Sequence, residues 1–415
     1  MKSNMQKETI FHKNFTLVVI GQIISLFGNA ILRFALPLYL LRQTGSAALF
    51  GIVTACSFLP MIVLSLLGGV MADRVNKRNI MVILDFSTAI LVLIFSLLLG
   101  KFSIVPLFIT ILMVLYGIQG AYQPAVQASI PLLVPMNQLM PANAIINQVN
   151  ALANLLGPII GGMLFSTWGL TPILIISIIC FTLSAIMELF IRIPHNPQKS
   201  ESGLLTIVRE DLTESIQFIK TEKPILFSVM GLLVLFNLFL SAMLIIGLPV
   251  LITKTLGMND QLFGYSQGAL AAGGLAGGIL TGILGSKLNV KKSHLLLLTC
   301  ACCTIPIGLV LLLNVPPFIS YLVITVMSFL LMAASTMFSI QMLAFVQMQT
   351  PAHLVGKVIS CLLALAMCAQ PIGQALYGIL FEQFANAPWI IILGSAFISC
   401  GIAIYSKSIF NTLHD

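Results

Sequence analysis

The stretch Gly68-Gly69-Val70-Met71-Ala72-Asp73-Arg74-Val75-Asn76-Lys77-Arg78 decides the fold of this chain. It is short, begins with glycine, ends in basic residues and separates two long apolar runs. A chain that crosses a bilayer has to keep its charged groups in short turns of this kind, because the hydrocarbon core offers no water to solvate them. The stretch therefore predicts a tight turn between two membrane-spanning helices.

The composition of the whole chain leads to the same prediction. Of its 415 residues, 59% are apolar and only 8% are charged, about a third of the charged share of an ordinary soluble protein. The apolar runs are long enough to cross a hydrocarbon core of ~30 Å as helices. The sequence predicts an all-α integral membrane protein whose twelve spans lie at roughly 15–41, 47–72, 79–100, 103–128, 142–166, 170–192, 225–253, 261–286, 293–313, 317–345, 354–381 and 386–406. The first run lacks a cleavage site and exceeds the length of a signal-peptide core, so we expect the mature protein to retain it.

The basic residues of the chain are distributed unevenly along these spans. Of the 20 Lys and Arg, all but Arg33, Arg42, Lys101 and Lys254 fall at one predicted end of the bundle. Because Lys and Arg concentrate on the cytoplasmic side of membrane proteins, both termini are predicted to be cytoplasmic. The net charge of +8 then reflects orientation and contact with anionic lipid heads rather than nucleic-acid binding. The predicted location is the cell membrane, most simply the bacterial plasma membrane.

One polar insertion divides the spans into two groups of six. Apolar residues recur within it at helical spacing, at Leu205, Val208, Leu212, Ile216 and Ile219, which predicts an amphipathic helix along the cytoplasmic face. The predicted domains are a six-helix half over 1–192, a linker over 193–224 and a second six-helix half over 225–415.

The two halves are weakly similar to each other. Gly69 and Gly282 are 213 residues apart, and so are Pro158 and Pro371. Two landmarks at one offset indicate a duplication, which is common in transporters. The second copy has Ser286 where the first has Asp73, so it is a degraded version of the opening stretch.

The opening stretch resembles the signature loop of the major facilitator superfamily, Gly-x-x-x-Asp-Arg-x-x-[Arg/Lys]-[Arg/Lys]. This resemblance implies movement of a small molecule across the membrane by alternating access. It also implies that Asp73 and Arg74 latch the two halves at the cytoplasmic side, that Lys77 and Arg78 assist, and that Gly69 permits close helix approach. The alternative is a tight turn that only carries positive-inside charges.

A second motif lies in the fifth span, where Ala153 is followed by Gly157-Pro158-Ile159-Ile160-Gly161-Gly162. It is similar to the antiporter motif of drug exporters, with Ala153 in place of the first glycine. Small residues let membrane helices touch closely, and proline kinks a helix. We expect a matching surface on the eighth span at Gly274, Gly278 and Gly282. Ordinary tight packing is the alternative interpretation.

The fourth span departs from the drug–proton antiporters it resembles. Many of them have an arginine three residues before a Gln-Gly pair, and here Tyr116 precedes Gln119-Gly120. Other stretches, such as Thr44-Gly45-Ser46, are similar to macrolide-efflux-type exporters. The resemblance implies a secondary exporter of hydrophobic or amphipathic molecules that uses a proton gradient and no bound cofactor, whereas Tyr116 argues against arginine-assisted proton transfer.

Charged residues within spans are costly and usually functional. Arg33 is a candidate for binding an anionic group, with structural pairing or snorkelling as the alternative. Asp85 is a candidate proton carrier, with an ion pair to the signature loop as the alternative. Glu188 precedes Arg192 by four residues, which predicts a helical ion pair. The remaining candidates for substrate contact or coupling are polar or aromatic and face the cavity that the resemblance implies: Tyr116, Gln119, Gln123, Asn237 and Gln341.

Several other functions find no support in the sequence. The eight Cys all fall in predicted spans without metal-site spacing, and no nucleotide loop or nucleophile constellation is present. We therefore expect neither an enzyme nor a metal protein, and we expect a monomer that contacts lipid and a small-molecule substrate. A lipid-like or organic-anion carrier or importer of the same fold remains an alternative, as does a non-transporting membrane scaffold or sensor.

Overall fold

The computed structural model describes residues 12–135, 138–193, 204–284, 290–351 and 354–411. Within these ranges it is helical and contains no strand, and twelve of its helices are long and apolar enough to cross a membrane, which confirms the predicted number. The helices are α1 Lys13–Thr44, α2 Ala47–Arg74, α3 Lys77–Leu98, α4 Ile104–Leu133, α5 Leu139–Trp168, α6 Leu170–Leu189, α7 Leu204–Thr221, α8 Pro224–Thr255, α9 Asp260–Leu284, α10 Ser293–Leu312, α11 Pro317–Gln349, α12 Val355–Gln383 and α13 Pro388–Asn411.

The turns between helices are as tight as the sequence predicts. Gly45 ends α1 with a φ of +62°, a left-handed conformation that suits glycine. Ser46 then caps α2, because its hydroxyl accepts the Leu49 amide at 3.1 Å. Asn76 caps α3 by accepting the Arg78 amide at 3.0 Å. Since α2 runs to Arg74 and α3 begins at Lys77, most of the predicted loop is helical and the turn itself is only two residues long.

The spanning helices pack as two sets, α1–α6 and α8–α13. In the first set α2 packs on α4, α1 on α5 and α6, and α3 on α6; in the second, α9 packs on α11, and α10 on α11 and α13. The two sets meet mainly along the pairs α5–α9 and α2–α12. The domain boundaries at 192 and 224 stay predictions. The helix α7 lies in the predicted linker, and its Glu214 forms a 2.6 Å ion pair with Lys357 at the start of α12.

The helix α8 is irregular in two places. Its backbone widens into π-helical turns at Asn237–Ser241 and Val250–Thr255, and Pro249 lies between them. Such widened turns are often found at functional sites. The second one ends at the same end of the bundle as Gly45. We call this the Gly45 end, and the opposite end, where α2 turns into α3, the Asn76 end; the charge distribution predicts that the Asn76 end is cytoplasmic.

Candidate functional site

A cavity of about 500 Å³ lies between the two sets of helices. Its wall is mostly apolar and aromatic, with a few amides, which is the usual character of a site for organic molecules. Arg33 is the one charged side chain among the described residues that line it. The first set supplies most of the wall, and Ile245, Pro249, Phe263 and Gln267 of the second set complete it.

Arg33 is held at the cavity wall by two neighbours on α4. Its guanidinium carbon lies 4.2 Å from the centre of the Tyr116 ring, within the range of a cation–π interaction. Its terminal nitrogen Nη1 donates to the amide oxygen Oε1 of Gln119 at 2.7 Å. In the drug–proton antiporters that the fourth span resembles, an arginine stands at the position of Tyr116. Here Arg33 of α1 places a guanidinium over the Tyr116 ring instead.

The remaining predicted cavity residues divide into two groups. Gln123 lines the cavity together with Tyr116 and Gln119. Asn237 is not part of the described wall, because its amide donates to the Leu233 carbonyl of its own helix at 2.9 Å. Gln341 is not part of it either; it is buried, and neither atom of its amide has a hydrogen-bond partner. Neither Asn237 nor Gln341 lines the described cavity in this conformation, and their role in substrate contact stays a prediction.

Several residues of the wall were not predicted. Phe34 of α1 and Phe263 of α9 stack with ring centres 5.0 Å apart across the two sets. Phe58 packs against Tyr116 at 5.4 Å. Apolar aromatics look like any other membrane residue in the sequence, so no signal marked them. Gln267 carries such a signal, since it is an amide in the middle of an apolar span.

Beside the cavity, the first set buries a cluster of polar side chains from four helices. The carboxyl groups belong to Asp85 of α3 and Glu188 of α6, which are 3% and 0% exposed. Ser25 donates to Asp85 Oδ1 at 3.1 Å. Tyr122 donates to Glu188 Oε1 at 2.7 Å and accepts from Gln22 Nε2 at 2.6 Å. The second oxygen of each carboxyl group, Asp85 Oδ2 and Glu188 Oε2, has no hydrogen-bond partner.

This cluster corrects one prediction about charge pairing. Glu188 does not pair with Arg192, because α6 packs against α1 and α3 and its carboxyl group is directed inward to Tyr122. Arg192 lies beyond the end of α6, where its backbone exchanges hydrogen bonds with the Asn14 side chain. Asp85 likewise bonds within the bundle, to Ser25 rather than to the described basic residues of the turn.

The Gly45 end is closed by contacts between the two sets. Arg42 of α1 forms a 2.6 Å ion pair with Asp260 at the start of α9. Lys254 of α8 donates to the Gly45 carbonyl at 2.5 Å and lies 3.7 Å from Glu382. Glu382 also accepts the Ala47 amide at 2.6 Å. Arg42–Asp260, Lys254–Gly45 and Glu382–Ala47 thus join the two sets of helices at the Gly45 end.

Glycines bring the paired helices close together at the same end. A Cβ atom on Gly264 would lie 2.5 Å from the Pro158 carbonyl oxygen, and one on Gly162 would lie 3.0 Å from Gly264 Cα. Gly51 meets Gly378 in the same way between α2 and α12, at 2.7 Å. Gly51 and Gly264 are 213 residues apart, which is the offset found for the repeat. The two interfaces are thus related copies.

The antiporter-like motif is shared between two interfaces. Gly157 and Gly161 face α1, at Ala30 and Phe34, while Gly162 faces α9. The predicted matching surface on α9 was wrong, because a Cβ on Gly278 or Gly282 would meet nothing within 4 Å. Helix α5 meets α9 nearer the Gly45 end, where the two sets are in contact.

The signature residues lie at the opposite end. Asp73 and Arg74 form the last turn of α2, but their side chains, and the surroundings of Gly69, lie outside the described part of the structure. Lys77 and Arg78 begin α3, and Arg78 donates to Asn79 Oδ1 at 3.2 and 3.0 Å. The latch role of these residues therefore stays a prediction.

Comparisons with known proteins agree with this architecture. A family model described as Major Facilitator Superfamily matches residues 18–361. The chain is 25% identical over 403 residues to macrolide efflux protein A of Streptococcus pyogenes, with 96% of each chain covered. It is 24% identical over 360 residues to multidrug efflux pump Tap of Mycolicibacterium fortuitum, with 85% of each covered. The solved structure of a D-xylose–proton symporter matches with a TM-score of 0.71 at 15% identity, over 94% of this chain and 96% of that one.

Proposed function

This chain belongs to the major facilitator superfamily, and we propose that it is a proton-driven secondary exporter of hydrophobic or amphipathic small molecules. The family consists of transporters rather than enzymes, and its members bind small molecules within the membrane. The protein is a multi-pass protein of the bacterial plasma membrane. We propose four further properties: export as the direction of transport, a proton gradient as the driving force, alternating access as the mechanism, and a monomer as the active form.

The central cavity is the observation that carries this proposal. Its volume of about 500 Å³ is within the usual range for sites that bind drug-sized molecules. A wall of aromatic rings and a few amides favours molecules that are largely apolar.

The contacts between the two sets support alternating access. The sets are joined at the Gly45 end by Arg42–Asp260 and by the contacts of Lys254 and Glu382. With the predicted orientation these contacts lie on the outer side, and in the proposed cycle this conformation takes up molecules from the cytoplasm. Exchange with the outside requires a second conformation in which these contacts are broken. Asp73 and Arg74 are then proposed to hold the Asn76 end closed.

The direction of transport is proposed from the relatives. The two curated relatives are named as a macrolide efflux protein and a multidrug efflux pump. At 25% and 24% identity, the particular compounds that they transport are not carried over to this chain. Efflux of apolar compounds fits a cavity that is reached from the cytoplasm and walled by aromatic residues.

Arg33 favours a second candidate, a carrier of organic anions or lipid-like anions. No carboxylate pairs with this guanidinium in the described part of the cavity, since its neighbours are Tyr116 and Gln119. A carboxylate or phosphate of a substrate would find a bidentate partner there. A lipophilic cation would be repelled by the same group.

A substrate screen in inverted membrane vesicles tests both candidates. Macrolides, neutral dyes and amphipathic organic anions are offered with and without a proton gradient across the vesicle membrane. Uptake of neutral compounds that requires the gradient supports the proposed exporter, and uptake of anions alone supports the second candidate. Gradient-independent equilibration of every compound that is transported would contradict proton drive. Vesicles from cells that do not produce the protein identify uptake that does not depend on it.

A further inference from the structure

We propose that Asp85, Tyr122 and Glu188 form the site that carries the coupling proton, separate from the wall that binds substrate. This inference rests on the proposed proton-driven function and assigns that function to particular atoms. The cluster is built by side chains of α1, α3, α4 and α6, so it belongs to one set of helices. It can therefore keep its geometry while the two sets move relative to each other.

The charge of the cluster is not balanced by any described cation. From α1 it is faced by Gln22 and Ser25, from α4 by Tyr122 and from α6 by Ser184. The titratable side chains of the described cluster are Asp85, Glu188 and Tyr122, and Cys180 lies two turns away along α6, against Gly28. The described cation that comes nearest along α1 is Arg33, and its guanidinium is engaged with Tyr116 and Gln119.

Two buried carboxylates without a cation are not stable as two anions. Removing an ion from water costs several kcal/mol even after the protein relaxes, and the two charges would also repel each other. The proposed site therefore binds at least one proton in this conformation. The unpartnered oxygens Asp85 Oδ2 and Glu188 Oε2 are the atoms where it is held. A purely structural role is a poor explanation, because an apolar pair of the same size would avoid this cost.

A small cavity lies between Asp85 and the central cavity. It has a volume of about 20 Å³, which is roughly enough for one water molecule. Its wall includes Ser25, Asp85 and Tyr122, so a water there has polar partners. Four residues line both this small cavity and the central one: Leu26, Asn29, Gln119 and Gln123.

The proton transfer is simple and balanced. A hydronium ion in the central cavity transfers one proton to the carboxylate of Asp85 through a water molecule in the small cavity. The products are a water molecule and the neutral carboxyl group of Asp85. Release is the reverse step, in which the carboxyl group returns the proton to water. Because Gln119 lines the small cavity and binds Arg33, a substrate that displaces this bond changes the wall of the proton path. Substrate and proton are thereby linked without sharing a site.

Proton binding is tested first with the proton alone as the probe. The purified full-length protein is titrated with acid and base in lipid, and the carbonyl stretch of protonated carboxyl groups is followed by infrared difference spectroscopy. Exposed carboxyl groups absorb in the same region, so each variant is compared with the wild type by difference. We expect a component of the wild-type band to be reduced in Asp85→Asn and in Glu188→Gln and lost in the double variant. The control Glu222→Gln, in the exposed chain before α8, leaves this component unchanged. An unchanged band in the double variant would overturn the proposal.

Coupling is tested in proteoliposomes with a macrolide as the probe. Asp85→Asn and Glu188→Gln are expected to lose uphill transport driven by a proton gradient and to keep exchange of macrolide between equal concentrations. That retained exchange shows that the variants are folded. Uphill transport at the wild-type level in both variants would overturn the assignment. If the wild-type protein moves no macrolide and no other compound of the screen, the proposed function fails, while the infrared titration still decides whether the cluster binds a proton.

Discussion

The guanidinium of Arg33 on α1 lies 4.2 Å from the centre of the Tyr116 ring on α4. Tyr116 stands where many related antiporters have an arginine, so the positive charge is kept in this part of the cavity but comes from another helix. A guanidinium that stacks on a ring and binds an amide is held in a fixed orientation. It offers its remaining donors to the cavity.

Replacing Arg33 is predicted to alter substrate preference. A hydrogen bond to a charged group contributes roughly 1.5–3 kcal/mol, so Arg33→Ala is expected to raise the KM of an organic-anion probe by about tenfold or more. The KM of a neutral probe should change far less. Arg33→Lys is the matched control for charge, because lysine keeps the charge but loses the planar stack. Unchanged kinetics for every compound of the vesicle screen would contradict a role of Arg33 in the cavity.

Asp260→Asn is predicted to weaken the closed Gly45 end. It removes one charge of the Arg42–Asp260 pair while keeping the shape of the side chain. Because Arg42 is partly exposed, we expect a cost of about 1 kcal/mol, or roughly a fivefold shift toward the state that is open at this end. Spin labels at the ends of α1 and α9 measure this shift as a longer distance. Unaltered distance distributions would show that the ion pair does not stabilise closure.

Gly264→Ala is predicted to separate α5 from α9. The added methyl group would lie 2.5 Å from the Pro158 carbonyl oxygen, which is too close without movement of a helix. Overpacking of this kind costs roughly 1–3 kcal/mol, so transport should fall about tenfold. Gly278→Ala on the same helix is the matched control, since nothing lies within 4 Å of its added methyl group. Equal activity of the two variants would refute the contact.

Asp73→Asn is predicted to abolish transport without affecting membrane insertion. The carboxylate is proposed to close the Asn76 end, and asparagine keeps its size without its charge. Substrate uptake into inverted vesicles and the amount of protein in the membrane are measured together. Normal uptake by this variant would remove the gating role. Loss of both uptake and protein would instead mean that Asp73 is needed for folding.

The number and positions of the spans were predictable because they depend on hydropathy along the chain alone. The site was less predictable, since it depends on which face of each helix meets a neighbour. Glu188 and Arg192 have the spacing of a helical ion pair, yet the Glu188 carboxyl group accepts a hydrogen bond from the Tyr122 hydroxyl inside the bundle. Asn237 and Gln341 are polar residues on suitable helices, yet one bonds to its own backbone and the other is buried away from the cavity.

The helix contacts show the same limit. The glycines of α5 and α9 were recognised as contact residues, but sequence cannot tell which glycines touch in one conformation. In the structure the two sets meet near the Gly45 end, so Gly264 lies in close contact with α5 and Gly278 does not. The antiporter-like motif therefore indicated the correct pair of helices and the wrong level along them.

The bond between the Ala47 amide and the Glu382 carboxylate, 2.6 Å long, has a consequence for energy efficiency. It completes the first turn of α2 with a group from the opposite set, as a capping residue would within one helix. Opening this end exposes the free amide of α2 and leaves Glu382 to be solvated again, and the loss of a helix cap costs about 1 kcal/mol. In the proposed proton-driven cycle, this cost disfavours spontaneous opening of the empty carrier and so limits futile cycles that would dissipate the proton gradient.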